Sequence, residues 1–567
     1  MLRGKARLAS LACAALAVLA LSGPGPLKAD DPDLSWNPGN GFPGTGSATF
    51  IVYPKILPQA SSIVACDERG ACGGESCYSL DDPRCSIPAR EHGWLVYLAP
   101  QSCVEAATGE ECIETLRVTT SDGVDRESRY TGLANFVQTF EPDPARGLPT
   151  GSVMSLWSDP SSPDGSTGYA VALGGTVRLP PEHQFSADDP IVLQRFGIQV
   201  WRYRYVPASQ RPWYACLWND SVGGQPQCAV QIPFEEGSRL EVGALVNSKL
   251  TGWLSGRLRD PRVQVTPVGP RLNRVTVSAL PVDVPMVAGS VPMSTANEDI
   301  RRLWTDVYRC PEGCQVAVDS DSNWVPVYLK AFAGALGDRA LKMIPTWTVS
   351  SVEGFPSECK GDVDSLVGLV TTNATGYDGG PPAYVNGALE YSVSALHKTP
   401  SGEVFTGTYD LLVRSETARC IYGFDDAPIR AEIQVFSEDG VEQVATTAVS
   451  ESEGWLHLVA TGFTFSNPRI SVRLTTASPP IVVPSAVSAL RAKPLRSAIR
   501  VSWAAPQDLG GAASVAYTFR AGNGPWTQTS SRSIRVTGQR GKPITVAVRA
   551  VNDAGPGPIL RVTARPR

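Results

Sequence analysis

The sequence predicts a mainly β fold, with tandem β-sandwich domains, a short helical insert and a C-terminal immunoglobulin-like sandwich. Short apolar runs recur between turn residues along most of the chain, which holds 53 Gly and 47 Pro in 567 residues. Such regular spacing is typical of β-sandwiches. Helical periodicity is confined to residues 295–336, and residues 485–567 have a strand pattern of their own.

The N-terminus has the organisation of a secretory signal. Basic residues at positions 3, 5 and 7 precede an apolar run over 8–21, and Gly23-Pro24 and the acidic Asp30-Asp31 follow. The run is shorter than the roughly 20 residues that span a bilayer. We therefore expect residues 1–29 to be cleaved and the mature chain not to be transmembrane; the alternative is an uncleaved anchor.

Composition indicates the cellular compartment of the protein and the type of organism that it comes from. Hydrophobic residues make up 42% of the chain, enough for each domain to bury a core. Arginine strongly outnumbers lysine, as in proteins of bacteria with GC-rich genomes. With the signal, this predicts a secreted, extracellular bacterial protein, either released or associated with the cell surface.

The cysteines predict disulfide bonds. Of 13 Cys, only Cys13 lies in the signal. An even set in an exported chain indicates bridges rather than zinc ligands. From turn signals, spacing and elimination we expect three pairs, namely Cys216–Cys228, Cys310–Cys314 and Cys359–Cys420. The earlier six leave 15 connectivities open; they are Cys66, Cys72, Cys77, Cys85, Cys103 and Cys112.

Composition shifts divide the mature chain into four regions. They are a Cys-rich small β region at 30–143, a β-sandwich at 144–292, two helices with a β-sandwich at 293–478, and the C-terminal module at 485–567. Thr295 and Glu298 form a capping box that predicts the start of the first helix. The second helix is predicted at Trp324–Leu336, with Gly337 as its C-cap. We expect both apolar stripes to be core.

The C-terminal module has a specific strand pattern. Ile499 and Val501 alternate towards Trp503, Tyr517 lies in a later strand, and Ala550-Val551-Asn552 precedes Gly555-Pro-Gly557. This pattern resembles the fibronectin type III family. The resemblance implies a seven-strand sandwich that serves as a spacer or binding module. The sequence departs from the family at Ile544, in place of the corner tyrosine, and at Gln539, in place of leucine.

Charge is unevenly distributed along the chain. Residues 485–567 hold 13 Lys and Arg against 2 acidic residues, a net charge of +11, whereas the whole chain carries −5. Arg491, Lys493, Arg496 and Arg500 are the densest basic group. This separation predicts an anionic partner, a glycan or an anionic envelope polymer, and no nucleic acid is expected in this compartment. The alternative is a solvated basic surface without a partner.

The aromatic peak of the chain is a second candidate binding surface. On a strand, Trp201, Tyr203 and Tyr205 share one face, and Trp213 and Trp218 follow. An exposed aromatic row stacks on sugar rings. The alternative is that the row faces the core of a sandwich.

No residue pattern predicts catalysis, a metal or a cofactor. The four histidines have no G-x-S-x-G nucleophile motif beside them and are expected to be structural. Residues 319–323 resemble the start of a calcium loop, but Trp324 and Lys330 stand where that loop needs Gly and Glu.

Three functions remain open from the sequence. The first is a secreted, non-catalytic envelope or matrix protein that binds glycans or anionic polymers. The second is a secreted carbohydrate-active hydrolase, because fibronectin-like modules often accompany such enzymes. The third is a structural spacer.

Overall fold

The chain folds as a mainly β protein, with 56% of the described residues in strands and 10% in helices. The computed structural model describes residues 46–53, 60–68, 72, 76–134, 139–210, 216–222, 225–248, 252–319, 324–352, 366–378, 380–422, 429–436, 442–443, 445–465, 469–476, 482–510, 514–552 and 554–567. Two compact units are present. The body falls within residues 1–423 and 431–474, and the C-terminal unit comprises 424–430 and 475–567.

In the described residues, twenty-eight strands precede the C-terminal sandwich. The first group is β1 Ser47–Tyr53, β2 Ser62–Ala65, β3 Trp94–Leu98, β4 Cys112–Thr119, β5 Asp125–Glu127, β6 Tyr130–Leu133, β7 Ser155–Ser158, β8 Thr167–Leu179 and β9 Gly197–Pro207. The second is β10 Cys216–Val222, β11 Gln225–Ile232, β12 Arg239–Asn247, β13 Gly252–Arg257, β14 Arg259–Val268, β15 Leu272–Leu280, β16 Val282–Pro292, β17 Gln315–Asp319 and β18 Lys342–Val352. The third is β19 Leu366–Thr372, β20 Gly376–Tyr377, β21 Ala383–Val385, β22 Ala388–Ser394, β23 Thr406–Arg414, β24 Ile429–Phe436, β25 Glu442–Gln443, β26 Thr446–Ser452, β27 Trp455–Thr464 and β28 Arg469–Thr476.

Helices are short. They are α1 Pro83–His92, α2 Glu298–Arg302, α3 Val325–Ala331, α4 Ala333–Leu336 and α5 Ser415–Tyr422. Single turns of other helix types occupy Pro144–Arg146, Ala208–Gln210 and Leu303–Val307. None of the helices in the described ranges combines the length and apolarity needed to cross a membrane.

Two sheets of the body form a sandwich. Sheet A has 17 strands, drawn from β1 to β27, and sheet B has 5, in the order β14-β15-β12-β4-β5. Their apolar side chains meet in one cluster, in which Leu116 and Val242 of sheet B join Val171 and Trp347 of sheet A. A third sheet, sheet C, runs β20-β22-β28-β24-β25, with β21 beside β22. Burial of this shared cluster is what holds sheets A and B together.

Sheet A is continuous through the positions where sequence reasoning places boundaries, at 143 and at 292. Strand β1 pairs with β16 and with β17. Strand β13 pairs antiparallel with β18 and parallel with β19. Strand β1 lies before residue 143, β16 lies between the two boundaries, and β17 lies after residue 292. Their pairing therefore places strands from three predicted regions in one sheet.

The helical insert differs in detail from its prediction. Asn297, not Thr295, caps α2, because its side chain accepts a hydrogen bond from the Ile300 amide. The predicted helix at 324–336 is divided into α3 and α4 at Phe332, whose φ of −99° and ψ of 7° leave the helical range. Gly337 ends it in the left-handed conformation, as predicted. Tyr328 and Phe332 pack on Phe50 of β1, and Trp304 packs on both of them, so both stripes are core.

Five disulfide bonds are present in the described residues. Cys216–Cys228 and Cys310–Cys314 are the pairs that the spacing predicts, and the first joins the β10–β11 hairpin. The open connectivity of the early six resolves into neighbours, Cys66–Cys72, Cys77–Cys85 and Cys103–Cys112. Cys420 is disulfide-bonded, and Cys359, its predicted partner, lies outside the described residues. Several bridges in one chain are typical of extracellular proteins.

The C-terminal unit contains a two-sheet sandwich. Its strands are β29 Ser488–Leu495, β30 Ala498–Ala504, β31 Ala516–Ala521, β32 Thr527–Thr529, β33 Ser533–Thr537, β34 Ile544–Asn552, β35 Gly555–Pro556 and β36 Leu560–Ala564. Sheet D is β29-β30-β33, and sheet E is β32-β31-β34-β35 with β36 on β34. Ile499, Val501, Trp503 and Tyr517 meet in its core, as the alternation predicts. The immunoglobulin-like fold predicted for this region is confirmed.

A buried carboxyl group joins three segments of the body. Glu111 lies before β4, and its two oxygens accept hydrogen bonds from the amides of Leu193, at 2.8 Å, and Asn247, at 2.9 Å. It borders a cavity of about 350 Å³ together with Glu110, Asp188, Asp189 and Arg271. Burial raises the pKa of Glu111 to about 7, against the opposing effect of the two amides.

A glycine on β19 makes room for a tryptophan at the centre of sheet A. Trp253 of β13 is 1% exposed. A Cβ at Gly368 would lie 2.2 Å from an atom of its ring. The ring has no free space to move into, because protein interiors are close-packed. Position 368 therefore has to remain glycine for β13 and β19 to pair as they do.

Gly368→Ala is expected to lower the free energy of unfolding by about 1–3 kcal/mol, through overpacking against Trp253. The matched control is Gly334→Ala, where nothing lies within 4 Å of the added Cβ. Because position 334 is helical, the control is expected to be neutral or stabilising by up to about 1 kcal/mol. Denaturant unfolding of the three proteins measures both effects, and equal losses would refute the packing argument.

Glu111 is expected to make the protein less stable as the pH rises from about 4.5 to 7. Its folded pKa lies above its unfolded value, so in this window the folded state keeps a proton that the unfolded chain releases. Relative to Glu111→Gln, the wild type should lose about 3 kcal/mol across the window. Unfolding free energies at several pH values measure the difference. Glu236→Gln, which removes an exposed carboxylate, serves as the control for loss of charge. If the unfolding free energies of the wild type and of Glu111→Gln depend on pH in the same way, the expectation is contradicted.

Candidate anion-binding site

The outer side of sheet D carries a row of positive charges. Lys493 of β29 lies directly opposite Arg500 of β30, and Arg500 lies directly opposite Arg535 of β33. Arg491 is two residues from Lys493 and so points to the same side. All four side chains are exposed. We call these four residues the cationic face.

Among the described residues, the cationic face has no acidic partner. None of its four side chains makes an ion pair or hydrogen bond to another described residue. Asp508 is the one acidic residue of 485–567 among those described, and its carboxylate accepts a hydrogen bond from the Gly510 amide. Like charges directly opposite one another destabilise a sheet. The arrangement therefore costs stability that an anionic ligand would recover.

The opposite sheet of the same unit holds a second set of cations. Arg520 and Arg549 stack on Trp526, with guanidinium carbons 4.9 Å and 4.1 Å from a ring centroid. Arg549 is further held by Thr518, whose hydroxyl accepts from Nε at 3.1 Å. Stacking on tryptophan fixes a guanidinium while leaving its other N–H groups free to donate. Sheet E thus also presents oriented positive charge.

Sequence reasoning identified most of the cationic face but not all of it. Arg491, Lys493 and Arg500 belong to the predicted basic group, and the structure brings them to one side of sheet D. Arg496 lies in the turn between β29 and β30, where it is exposed. Arg535 was missed, because it joins the row only through the pairing of β30 with β33. The alternation Ile534-Arg535-Val536 was the available signal.

The aromatic segment lies mainly in the core of the body. Trp201, Tyr203 and Trp218 are 4%, 7% and 2% exposed. Tyr203 contacts Trp218 edge to face at 4.6 Å, and Tyr205, which is half-buried, donates a hydrogen bond to Asp220. The three buried rings therefore have no face open to a sugar, because they lie within one buried apolar cluster. Trp213 lies outside the described residues.

The arginines that alternate with these rings point the other way, as the strand pattern predicts. Arg202 is paired within the body, since its Nε lies 2.8 Å from Asp159 and its Nη2 lies 3.1 Å from Glu235. Arg204 is exposed. The charge of Arg202 is thus used to hold neighbouring segments of the body together.

Two of the four histidines pair with aspartates. His457 Nε2 lies 2.9 Å from Asp410 Oδ1, and Asp410 is 1% exposed. Burial raises the pKa of Asp410, while the hydrogen bond from His457 lowers it. His397 Nδ1 lies 2.7 Å from Asp338. Both pairs join strands or loops of the body.

Comparison with known proteins shows likeness to solved structures over a small part of the chain. No protein-family model and no curated protein matches the chain. Among solved structures, one titled "Myokine structure" is 21% identical, with 15% of this chain and 99% of that chain covered and a TM-score of 0.13. The fibronectin type III domain of human fibronectin type III domain containing protein 3 is 16% identical, with 16% and 94% covered and a TM-score of 0.14.

Proposed function

We propose that this is an extracellular, non-catalytic protein that binds an anionic polymer of the cell envelope or matrix through its C-terminal unit. The observation that carries the proposal is the row of Lys493, Arg500 and Arg535, three exposed and directly opposed cations without a counter-ion among the described residues. The disulfide bonds support an oxidising, extracellular setting.

The extent of the row favours a polymer over a small anion. Neighbouring strands lie about 4.8 Å apart, so the three cations extend over roughly 10 Å. One carboxylate, sulfate or phosphate cannot reach all of them. A chain that carries an acidic group on successive sugar residues can, because it offers several charges in a line.

The strength expected of each contact also favours a polymer. An exposed ion pair contributes about 0.2–1 kcal/mol, too little to hold a monovalent ligand. Several contacts made at once reinforce one another, because after the first the others form at high effective concentration. The arginines add bidentate geometry that suits carboxylate, sulfate and phosphate alike.

The negative charge of the rest of the chain determines which part of the protein a polyanion contacts. Residues 30–484 carry a net charge of −20, whereas the C-terminal unit beyond 484 carries +11. A polyanion therefore attracts one part of the protein and repels the other. In this proposal the C-terminal unit is the anchor.

Replacing the row is expected to release the protein from an acidic polysaccharide. The variant Lys493→Gln, Arg500→Gln, Arg535→Gln should bind immobilised polygalacturonate about tenfold more weakly than the wild type, because three contacts of about 0.5 kcal/mol each are lost. Surface plasmon resonance of the full-length proteins measures the affinity, with uncharged dextran as the blank.

The matched control removes the same charge elsewhere in the unit. Arg540, Lys542 and Arg565 are exposed and lie outside the cationic face. Their triple substitution by glutamine should leave most of the affinity in place. Equal losses in the two triple variants would show that net charge alone is responsible, and undiminished binding by the first variant would refute the proposal.

Salt is expected to weaken binding steadily. Between about 0.05 M and 0.5 M sodium chloride the screening length shortens severalfold, and exposed charges then attract less. Because each neutralised charge releases counter-ions from the polymer, the logarithm of the affinity should fall linearly with the logarithm of the salt concentration. The same titration on the row variant should give a shallower slope. Salt-independent binding would point to an uncharged surface instead.

A further inference from the structure

Strand β26 is an exposed edge of sheet A. Among the described residues it pairs with β27 only, and its 7 residues are all exposed. Among the described residues, none pairs with the backbone N–H and C=O groups on the other side of β26. Such a row of unpaired groups is a template for another strand.

Strand β26 itself lacks the sequence features and the bulge that usually prevent edge pairing. Its sequence, Thr-Thr-Ala-Val-Ser-Glu-Ser, contains no proline or lysine, and its register with β27 is unbroken by a bulge. Proteins that prevent sheet edges from associating place proline, lysine or a β-bulge in the edge strand. The single charge, Glu451, is already paired with Arg419 of α5 at 2.8 Å.

One side of β26 continues the apolar surface of β27. Thr447, Val449 and Glu451 lie opposite Ala460, Leu458 and Leu456, which are fully buried. Val449 itself is 38% exposed. An added strand that placed an apolar side chain beside Val449 would extend this surface and cover the valine.

We propose that a second copy of this chain supplies that strand. Two β26 strands related by a twofold axis pair antiparallel about Val449. Each Val449 then faces its own copy, Ala448 faces Ser450, Thr447 faces Glu451 and Thr446 faces Ser452. No like charges oppose one another in this register, and the valine pair completes the apolar stripe.

The predicted contact is self-complementary and small. The same patch serves both copies, as a twofold interface requires. Pairs of 7 residues bury less surface than a stable dimer usually does, so we expect association that depends on protein concentration. The assay needs no polymer, and its outcome is separate from that of the anchor proposal.

The test compares two lysine substitutions on β26 by sedimentation equilibrium of the full-length protein. Val449→Lys places two positive charges directly opposite at the twofold axis and should raise the dissociation constant at least tenfold. Thr447→Lys places each lysine opposite Glu451 of the other copy, and should lower the constant about three- to tenfold at low salt, because each Glu451 carboxylate then gains a second cationic partner beside Arg419. The second variant keeps the test decisive if the first fails to fold.

Val404→Lys is the matched control, because Val404 is 63% exposed and is not part of β26. It should associate like the wild type. The proposal is supported if the three variants weaken, strengthen and preserve association in that order. It is overturned if the wild type and Thr447→Lys are both monomeric at the highest soluble concentration, or if a folded Val449→Lys associates as tightly as the wild type.

Discussion

The pairing of β13 is the constraint on which the body depends. All 6 residues of this strand are buried, and it has neighbours on both sides, β18 antiparallel and β19 parallel. The close approach of Trp253 to Gly368 requires a glycine there. From β19 the sheet continues through β23 and β27 to β26. The exposed edge thus exists because β13 brings strands from distant parts of the chain into one sheet.

Local features of this fold could be predicted from the sequence, whereas long-range pairing could not. The alternation of Trp201 to Tyr205 and the C-terminal sandwich follow from side-chain periodicity and turn residues. Alternation says which residues share a face of a strand, but it does not identify the neighbouring strand. For this reason the pairing of β1 with β16, more than 200 residues away, had no signal, and the large sheet crosses the expected boundaries at 143 and 292.

The same reason explains why the sequence predicts the exposure of the basic residues better than that of the aromatic segment. The density of Arg491, Lys493 and Arg500 is visible in the sequence, but Arg535 becomes their neighbour only through strand register. An aromatic row has the same sequence pattern whether it faces water or another layer of the protein. The burial of Trp201 and Trp218 depends on strands elsewhere in the chain. Charged side chains are rarely buried without partners, so a charge pattern locates a surface more dependably than an aromatic one.

The five disulfides of the described residues have a consequence for the order of folding. Their cysteines are separated by only 4 to 12 residues. Each bridge can therefore form as soon as one short stretch of chain exists, long before β1 can meet β16. Long-range β pairing is slow, because the entropy of closing large loops is lost before contacts compensate for it. During that interval the bridges keep hairpins and turns in their final shape. For eight of these ten cysteines the correct partner is also the nearest cysteine in sequence, the exceptions being Cys72 and Cys77, which are nearest to each other. Proximity therefore reduces misbridging while the large sheet is still open.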